Sequence, residues 1–351
     1  MKYLNSGRFS ACAVALVLAV ASTGAQSADM TPHEAALYEA AKAEGSVTWY
    51  VSQVTTENAD KSCAGFRAKY PGIACNPVRA SGQVVFQRIQ QELAAGALQA
   101  DVMSTNDVGQ LYQLKQEGAL MAYAPEGLEH MSPLMREAGD AEGYWFTSAI
   151  APIVMVYNTN LVSKDEAPKN WTDLYDPKWK SQIAIGHPGF SGSVGLWTVL
   201  MDDLYGWEFF TKLEANQPHI GRSIVDGLNL VTSGERKIAI APLASVLNDR
   251  AKGAPIAEVL PTDGALMPPS GTAIMKDAKH PNAAKLFTEF FLSKENSQIF
   301  VDRHNYPLHA DVPISNLTIP LNDYKLINVP VEKGNEKVPE LQAKFRDTFG
   351  I

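Results

Sequence analysis

The sequence is short of positive charge. Its 30 lysines and arginines are outnumbered by 38 acidic residues, and no basic run appears. That balance argues against nucleic acid or anionic lipid as its partner, because such grips depend on neutralising phosphates. Long hydrophobic runs are also scarce. Beyond the N-terminal region the best, Ala149 to Tyr157, contains Pro152 and falls well below the ~20 residues a membrane-spanning helix needs. Glycine (25) and proline (21) are scattered, which excludes collagenous and low-complexity chains. Neither G-x-x-x-x-G-K-[ST] nor G-x-G-x-x-G occurs, so no phosphate-cradling fingerprint is present. The seven histidines never form H-E-x-x-H, and His304 and His309 have no nearby carboxylate pair suited to zinc. What remains is a small enzyme or a small-molecule binder. At ~150 residues per domain, 351 residues suggest about two domains, each large enough for a core.

The chain opens with Lys2 and Arg8 and no acid, followed by an apolar run from Ala11 to Ala21 and small residues up to Ala28. These are the three parts of a secretory signal peptide over residues 1–28, with cleavage expected between Ala25 and Ala28. The apolar run is too short for a spanning anchor, and Cys12 inside it does not resemble a lipoprotein processing site. The remaining chain is expected to be exported and soluble. Export to an oxidising compartment bears on Cys63 and Cys75, 12 residues apart. They are compatible with a local disulfide or with two buried thiols.

Strand and helix patterns then alternate. Ser46–Val51 and Ile73–Val78 read as strands, with a helix from Asn58 to Tyr70 between them, closed by Pro71-Gly72. Gln83 to Ala95 repeats Val84, Val85, Ile89 and Leu93 at helical spacing. Asp101–Ser104 is a short strand before a helix from Val108 to Glu117 that Gly118 stops. This order predicts a mostly parallel sheet under helices. Trp145–Tyr157 reads as one long buried strand, given Pro152 and its β-branched content. A second α/β unit follows: strand Gln182–Ile185, helix Ser193–Leu204 and strand Ile238–Ala241. Gly271–Met275 is again strand-like, and an amphipathic helix over Ala283–Phe291 follows Pro281. Two such lobes place a cleft at their strand ends.

The best local signal for chemistry is Gly186-His187-Pro188-Gly189-Phe190-Ser191-Gly192-Ser193, between a strand and a helix beginning near Val194. Free N–H groups at a helix start form an anion site. Ser191 and Ser193 add hydroxyl donors, and Gly192 admits a ligand to the backbone. The plain alternative is an ordinary Ser N-cap. A second loop, Arg79-Ala80-Ser81-Gly82, offers a guanidinium able to pair bidentately with phosphate or carboxylate. Ser52, Gln53 and Thr55 after the first strand, and Ser104 and Asn106 after the third, add neutral donors. Trp49, Trp145 or Phe190 could stack on a ligand ring, though each type is more often core. Asp173 and Asp176 suit turns better than an acid/base pair. Gly189-Phe190-Ser191-Gly192-Ser193 misses the G-x-S-x-G elbow at its last residue, so a secreted serine hydrolase acting through Ser191 is a distant alternative.

Several segments in order carry a resemblance: Gly45–Ser52 (GSVTWYVS), Gly96–Ser104 (GALQADVMS), Tyr157–Asn160 (YNTN), Trp171–Leu174 (WTDL), Gly271–Lys276 (GTAIMK) and His280–Phe291 (HPNAAKLFTEFF). With the leader, they resemble the bacterial periplasmic solute-binding proteins of ABC importers, in the branch holding ferric-ion, thiamine and sugar-phosphate or phosphonate binders. The resemblance implies an α/β fold of type II-like form: two lobes, each a mostly parallel sheet flanked by helices, hinged by crossing strands and closing like a flytrap. It divides the chain into 29–145 (first lobe), 146–267 (second lobe), 268–310 (return to the first lobe) and 311–351 (a C-terminal segment packing on the lobes). Ferric members place a His just after the first strand and two adjacent Tyr after a late one. Here the first position is Val54, and Ile240–Leu247 holds no Tyr. A hard ferric ion wants anionic oxygen ligands, so iron is the alternative solute rather than the first. The family's Ser-Gly-small helix start is present as Ser191-Gly192-Ser193. The expectation is a monomeric periplasmic receptor that is not an enzyme, needs no cofactor and passes a small anionic solute to a membrane permease. Its ligand would be bound by Ser191, Gly192, Ser193, Val194, Arg79, Ser81 and Gly82, with Ser52, Gln53, Ser104 and Asn106 completing the site.

Overall fold

The computed structural model describes residues 30–351. The expected signal peptide and Cys12 lie outside them. Helix α1 (Pro32–Glu44) precedes an alternating series: β1 (Ser46–Val51), α2 (Thr56–Lys69), β2 (Ala74–Arg79), α3 (Gly82–Ala94), β3 (Val102–Thr105), α4 (Val108–Gln116) and short β4 (Leu120–Met121). A brief α5 (Pro133–Glu137) leads to β5 (Phe146–Ile150). Then come β6 (Ile153–Asn158), β7 (Ile183–Gly186), α6 (Gly192–Tyr205), α7 (Glu208–Ala215), β8 (His219–Gly221), α8 (Ile224–Ser233), β9 (Ile238–Pro242), α9 (Leu243–Ala251), β10 (Ile256–Val259) and β11 (Ala265–Leu266). The chain ends with β12 (Pro269–Met275), α10 (Pro281–Phe291), α11 (Lys294–Val301), β13 (Leu326–Ile327) and α12 (Val331–Phe349).

These strands form two sheets. The first runs β2-β1-β3-β12-β4, with β5 also paired to β12; the second runs β13-β11-β6-β9-β7-β8, with β10 on β6. Alternation along the strands sets both cores. In β1, Val47, Trp49 and Val51 face one side of the first sheet, against Phe66, Phe287 and Phe291, while Tyr50 faces the other. In β6, Ile153, Met155 and Tyr157 join Trp171 and Trp197, while Val154 and Val156 face α8 and α9. Cys63 on α2 and Cys75 on β2 are joined by a disulfide. Local chemistry opens the helices: Thr55 caps α2, which starts two residues before the expected Asn58, by accepting from Asn58 N–H, and α10 carries Pro281 in its first turn.

Three expectations change. The run Trp145–Tyr157 is two strands, because the chain crosses between sheets at Ala151-Pro152; β5, placed with the second lobe from sequence, hydrogen-bonds to β12 of the first sheet. The sheets are mixed rather than mostly parallel. Parallel pairing joins β2-β1-β3, β8-β7-β9 and the short pair β11-β13, and each of the first two units meets an antiparallel strand, β12 or β6, adjoining a crossing. The C-terminal segment 311–351, to which no secondary structure was assigned from sequence, contains helix α12 despite Gly334 and Pro339; it packs on α6 and α7 and reaches α4. The second crossing between sheets is at Met267-Pro268. Among the described residues no helix is long and apolar enough to cross a membrane.

Candidate functional site

Between the lobes lies a cavity of about 450 Å³ whose lining includes Ala151, Pro268 and Ser270 of the crossing segments. Five helices begin at it: α2 and α3 from the first lobe, through Thr55 and Ser81, and α6, α8 and α9 from the second, through Ser191, Ser223 and Ser245. The alternation explains this convergence. In a β-α unit the helix follows the carboxyl end of its strand, so neighbouring parallel strands send their helix starts to one edge. Three of the five starts, at α3, α6 and α9, have no side-chain cap. Their N–H groups and dipole ends make that edge positive.

Side chains add to the field. Arg79 and Arg303 come from the first lobe, Arg222 and Lys252 from the second, and Asp249 is the acidic residue lining the cavity. Arg79 is steered by its Nε–H, which donates to the Val54 carbonyl at 3.2 Å. Arg222 sits over the Phe190 ring at 5.0 Å, and that ring is 46% exposed at the cavity's edge. Arg303 forms an ion pair with Glu57, whose carboxyl is held below its usual range by Lys61 and Arg303. The Arg303 Nε and the amide oxygens of Gln53 and Asn58, three residues that line the cavity, are buried without hydrogen-bond partners. Such groups cost stability unless a ligand or a shift satisfies them.

Of the residues singled out from sequence, the fold brings Ser52, Gln53, Arg79, Ser81, Gly82, Asn106, Ser191 and Ser193 to the cavity. Three others it does not. Ser104 is fully buried, with its hydroxyl taken by the Trp49 indole N–H at 2.7 Å and by Thr272 at 2.6 Å. Val194 is buried in the second-lobe core. Gly192 faces a second cavity beside the first. Ser191 makes no capping bond to its own helix, so the plain alternative for it fails. Trp49 and Trp145 are core, whereas Phe190 lines the cavity. Asp173 and Asp176 serve turns, accepting from Asn170 and Lys178 N–H groups. Sequence reasoning missed Arg222, Lys252, Asp249 and Arg303, because isolated charges carry no local pattern.

Two alternatives meet the same geometry. His187, the histidine nearest Ser191 in sequence, accepts from Gly189 N–H through Nδ1, and burial beside Arg346 holds its imidazole below the ordinary range. Among the described residues no group of three His, Cys, Asp or Glu is placed to hold a metal ion, and no Tyr or His lines the cavity. Val54, Pro242, Ala244 and Ser245, on the stretches where the resemblance led one to look for ferric ligands, line it without an anionic oxygen.

Two α/β lobes joined by crossing segments around a charged cleft form an arrangement suited to holding a small solute between them. Residues 100–326 match the model of the bacterial extracellular solute-binding proteins, and the chain belongs to that family. Iron uptake protein A1 of Synechocystis sp. is 27% identical over 282 residues, which are 75% of this chain and 76% of that protein. The fructose-6-phosphate-bound periplasmic binding protein AfuA of Actinobacillus pleuropneumoniae superposes with a TM-score of 0.79 at 24% identity, over 87% of this chain and 99% of that one. Iron-bound HitA of Pseudomonas aeruginosa gives 0.74 at 22%, over 86% and 99%. At such identities these structures speak for the fold alone. The coarse function follows from the family: a solute-binding protein of the kind that serves an ABC importer.

Proposed function

We propose that the protein is a monomeric periplasmic receptor that captures a small anionic organic solute, a phosphonate, phosphorylated metabolite or carboxylate, and hands it to a membrane permease unchanged. One observation carries this: four cationic side chains and five helix starts surround the cavity against a single carboxylate. Charge of one sign in a concave, poorly hydrated site attracts and holds the opposite sign. Ser191 and Ser193 would donate hydroxyl bonds, Arg79 and Arg222 would supply charge from opposite lobes, and Ser52, Ser81 and Asn106 would orient the remainder. Because the cations come from both lobes, a bound anion bridges them, and closure is favoured by binding. The lobe limits we attach to this are the crossings at 151–152 and 267–268.

A second reading, ferric iron, is favoured by the relatives named for iron. Asp249 alone among the cavity's side chains would give anionic oxygen, so iron would have to arrive with an anion of its own. A thermal-shift panel of phosphonates, sugar phosphates, carboxylates, thiamine and ferric salts separates the two, since a ligand of the folded state raises Tm by mass action. An organic anion is expected to stabilise the protein. A shift with ferric salts alone, together with a charge-transfer band, replaces the anion by iron.

A further inference from the structure

Beside the ligand cleft a second cavity of about 420 Å³ is walled by α4 of the first lobe and by α6 and α12. The two are separated where Gly192 meets Asp107. A methyl group on Gly192 would sit 2.8 Å from Asp107 Cβ and 3.4 Å from the Asn106 carbonyl oxygen. Asp107 cannot easily swing away, because its carboxylate caps α4 by accepting from Gly109 N–H at 3.1 Å. Helix α12 reinforces the same seam. Leu341 and Phe345 anchor it in the second-lobe core, while Asn335 lies so close to Gly109 of the first lobe that a side chain there would overlap its carboxamide. On another part of the interface, Asn248 of α9 donates to the Arg303 carbonyl at 2.6 Å.

We infer that the Gly192–Asp107 contact is the stop that sets how far the lobes close, with α12 as its clasp, so that these positions govern solute retention as positioning residues. The seam lacks cations and presents mainly carboxamides and apolar groups, so it favours closure whichever solute the cleft takes. With the lobes apart, residue 192 stands near a solvent-exposed helix start, where Ala is at least as good as Gly. An added methyl therefore penalises the closed arrangement alone. Apparent affinity falls with the closed fraction. Overpacking of this kind corresponds to roughly a tenfold effect.

The test is Gly192→Ala in the full chain, with Asp107→Gly as its compensating partner. Hydrogen exchange of the unliganded protein is read at the amides of 108–111 and 192–195, and affinity is measured with inorganic phosphate as the probe. We expect G192A to exchange faster at those amides alone and to lose phosphate affinity through dissociation, the two factors multiplying to roughly tenfold. Adding D107G should restore affinity and the exchange of 192–195, since it removes the Cβ that the new methyl meets; amides 108–111 are left out of this arm because D107G also removes the cap of α4. Wild-type exchange and affinity in G192A overturn the inference. A loss that D107G does not relieve also overturns it, assigning Gly192 to ligand contact instead. Should G192A alone not fold, D107G and D107G/G192A are compared and are expected to match; a tenfold gap between them rejects the stop. If phosphate does not bind the wild type, the anion reading fails, and the exchange data still decide on the seam.

Discussion

The two cavities between the lobes are neighbours and opposites. Ser191 and Ser193 face one and Gly192, between them in sequence, faces the other. The cleft gathers Arg79 and Arg303 from one lobe and Arg222 and Lys252 from the other. The seam gathers Gln83, Gln110, Gln113, Asn335 and Gln342, with Asp107 as its charged member. Cations on facing walls repel, so without an anion the cleft opposes closure; the seam, with no pair of like charges facing each other, carries no such penalty. Selectivity and closure are thereby placed on adjacent surfaces of the same helix starts.

Breaking the charged side should cost most. The double variant Arg79→Ala with Arg222→Ala removes one cation from each lobe and should weaken binding of the preferred anion by roughly 3–6 kcal/mol, at ~1.5–3 per charge-assisted bond. Titration calorimetry showing unchanged affinity would separate the cations from the ligand. A control away from both cavities is the disulfide: Cys63→Ala with Cys75→Ala should lower unfolding free energy by about 3 kcal/mol in denaturant melts, leaving affinity intact. Replacing Ser191 and Ser193 together by Ala should weaken anion binding by roughly 1–3 kcal/mol, a smaller loss because the helix-start N–H groups remain. Raising salt should weaken the cleft's grip while leaving the seam's exchange rates nearly unchanged, since exposed charges are screened and packing is not.

The smallest expected effect is on pH. His187, His304 and His309 are each held below the ordinary histidine range, chiefly by burial. His309 also stacks on His130, with centroids 4.9 Å apart. The neutral fold is thus fully stable above the ordinary value near 6.5 and loses stability as pH falls below it, because the unfolded chain takes up those protons first. Tm should drop between pH 7 and pH 5, and His309→Gln should flatten part of that drop. A flat wild-type profile would show that these imidazoles do not report on folding.

Much of the fold was legible because its cues are local. The strand Ser46–Val51, the close of the second helix before Pro71-Gly72 and the proline opening Pro281–Phe291 each depend on a few adjacent residues. The errors arose where distant contacts decide. Trp145–Tyr157 reads as one apolar strand, and nothing within it says that Ala151-Pro152 divides two sheets. Gly334 and Pro339 lower the helical signal of α12, yet Leu341 and Phe345 hold it through burial in the second lobe. Ser104 shares its residue type with Ser52, but it lies within β3, where the indole of Trp49 and the hydroxyl of Thr272 hold it in the core.

On its own, the sequence determined the alternation of strands and helices and the polar, serine-bearing loops that open several helices, because each is written within a short window. Only the tertiary structure decided which of those starts share a cavity, which charges join them and where the lobes stop. These are set by two crossings and by contacts between residues more than a hundred positions apart, such as Gly109 with Asn335, for which no local periodicity exists.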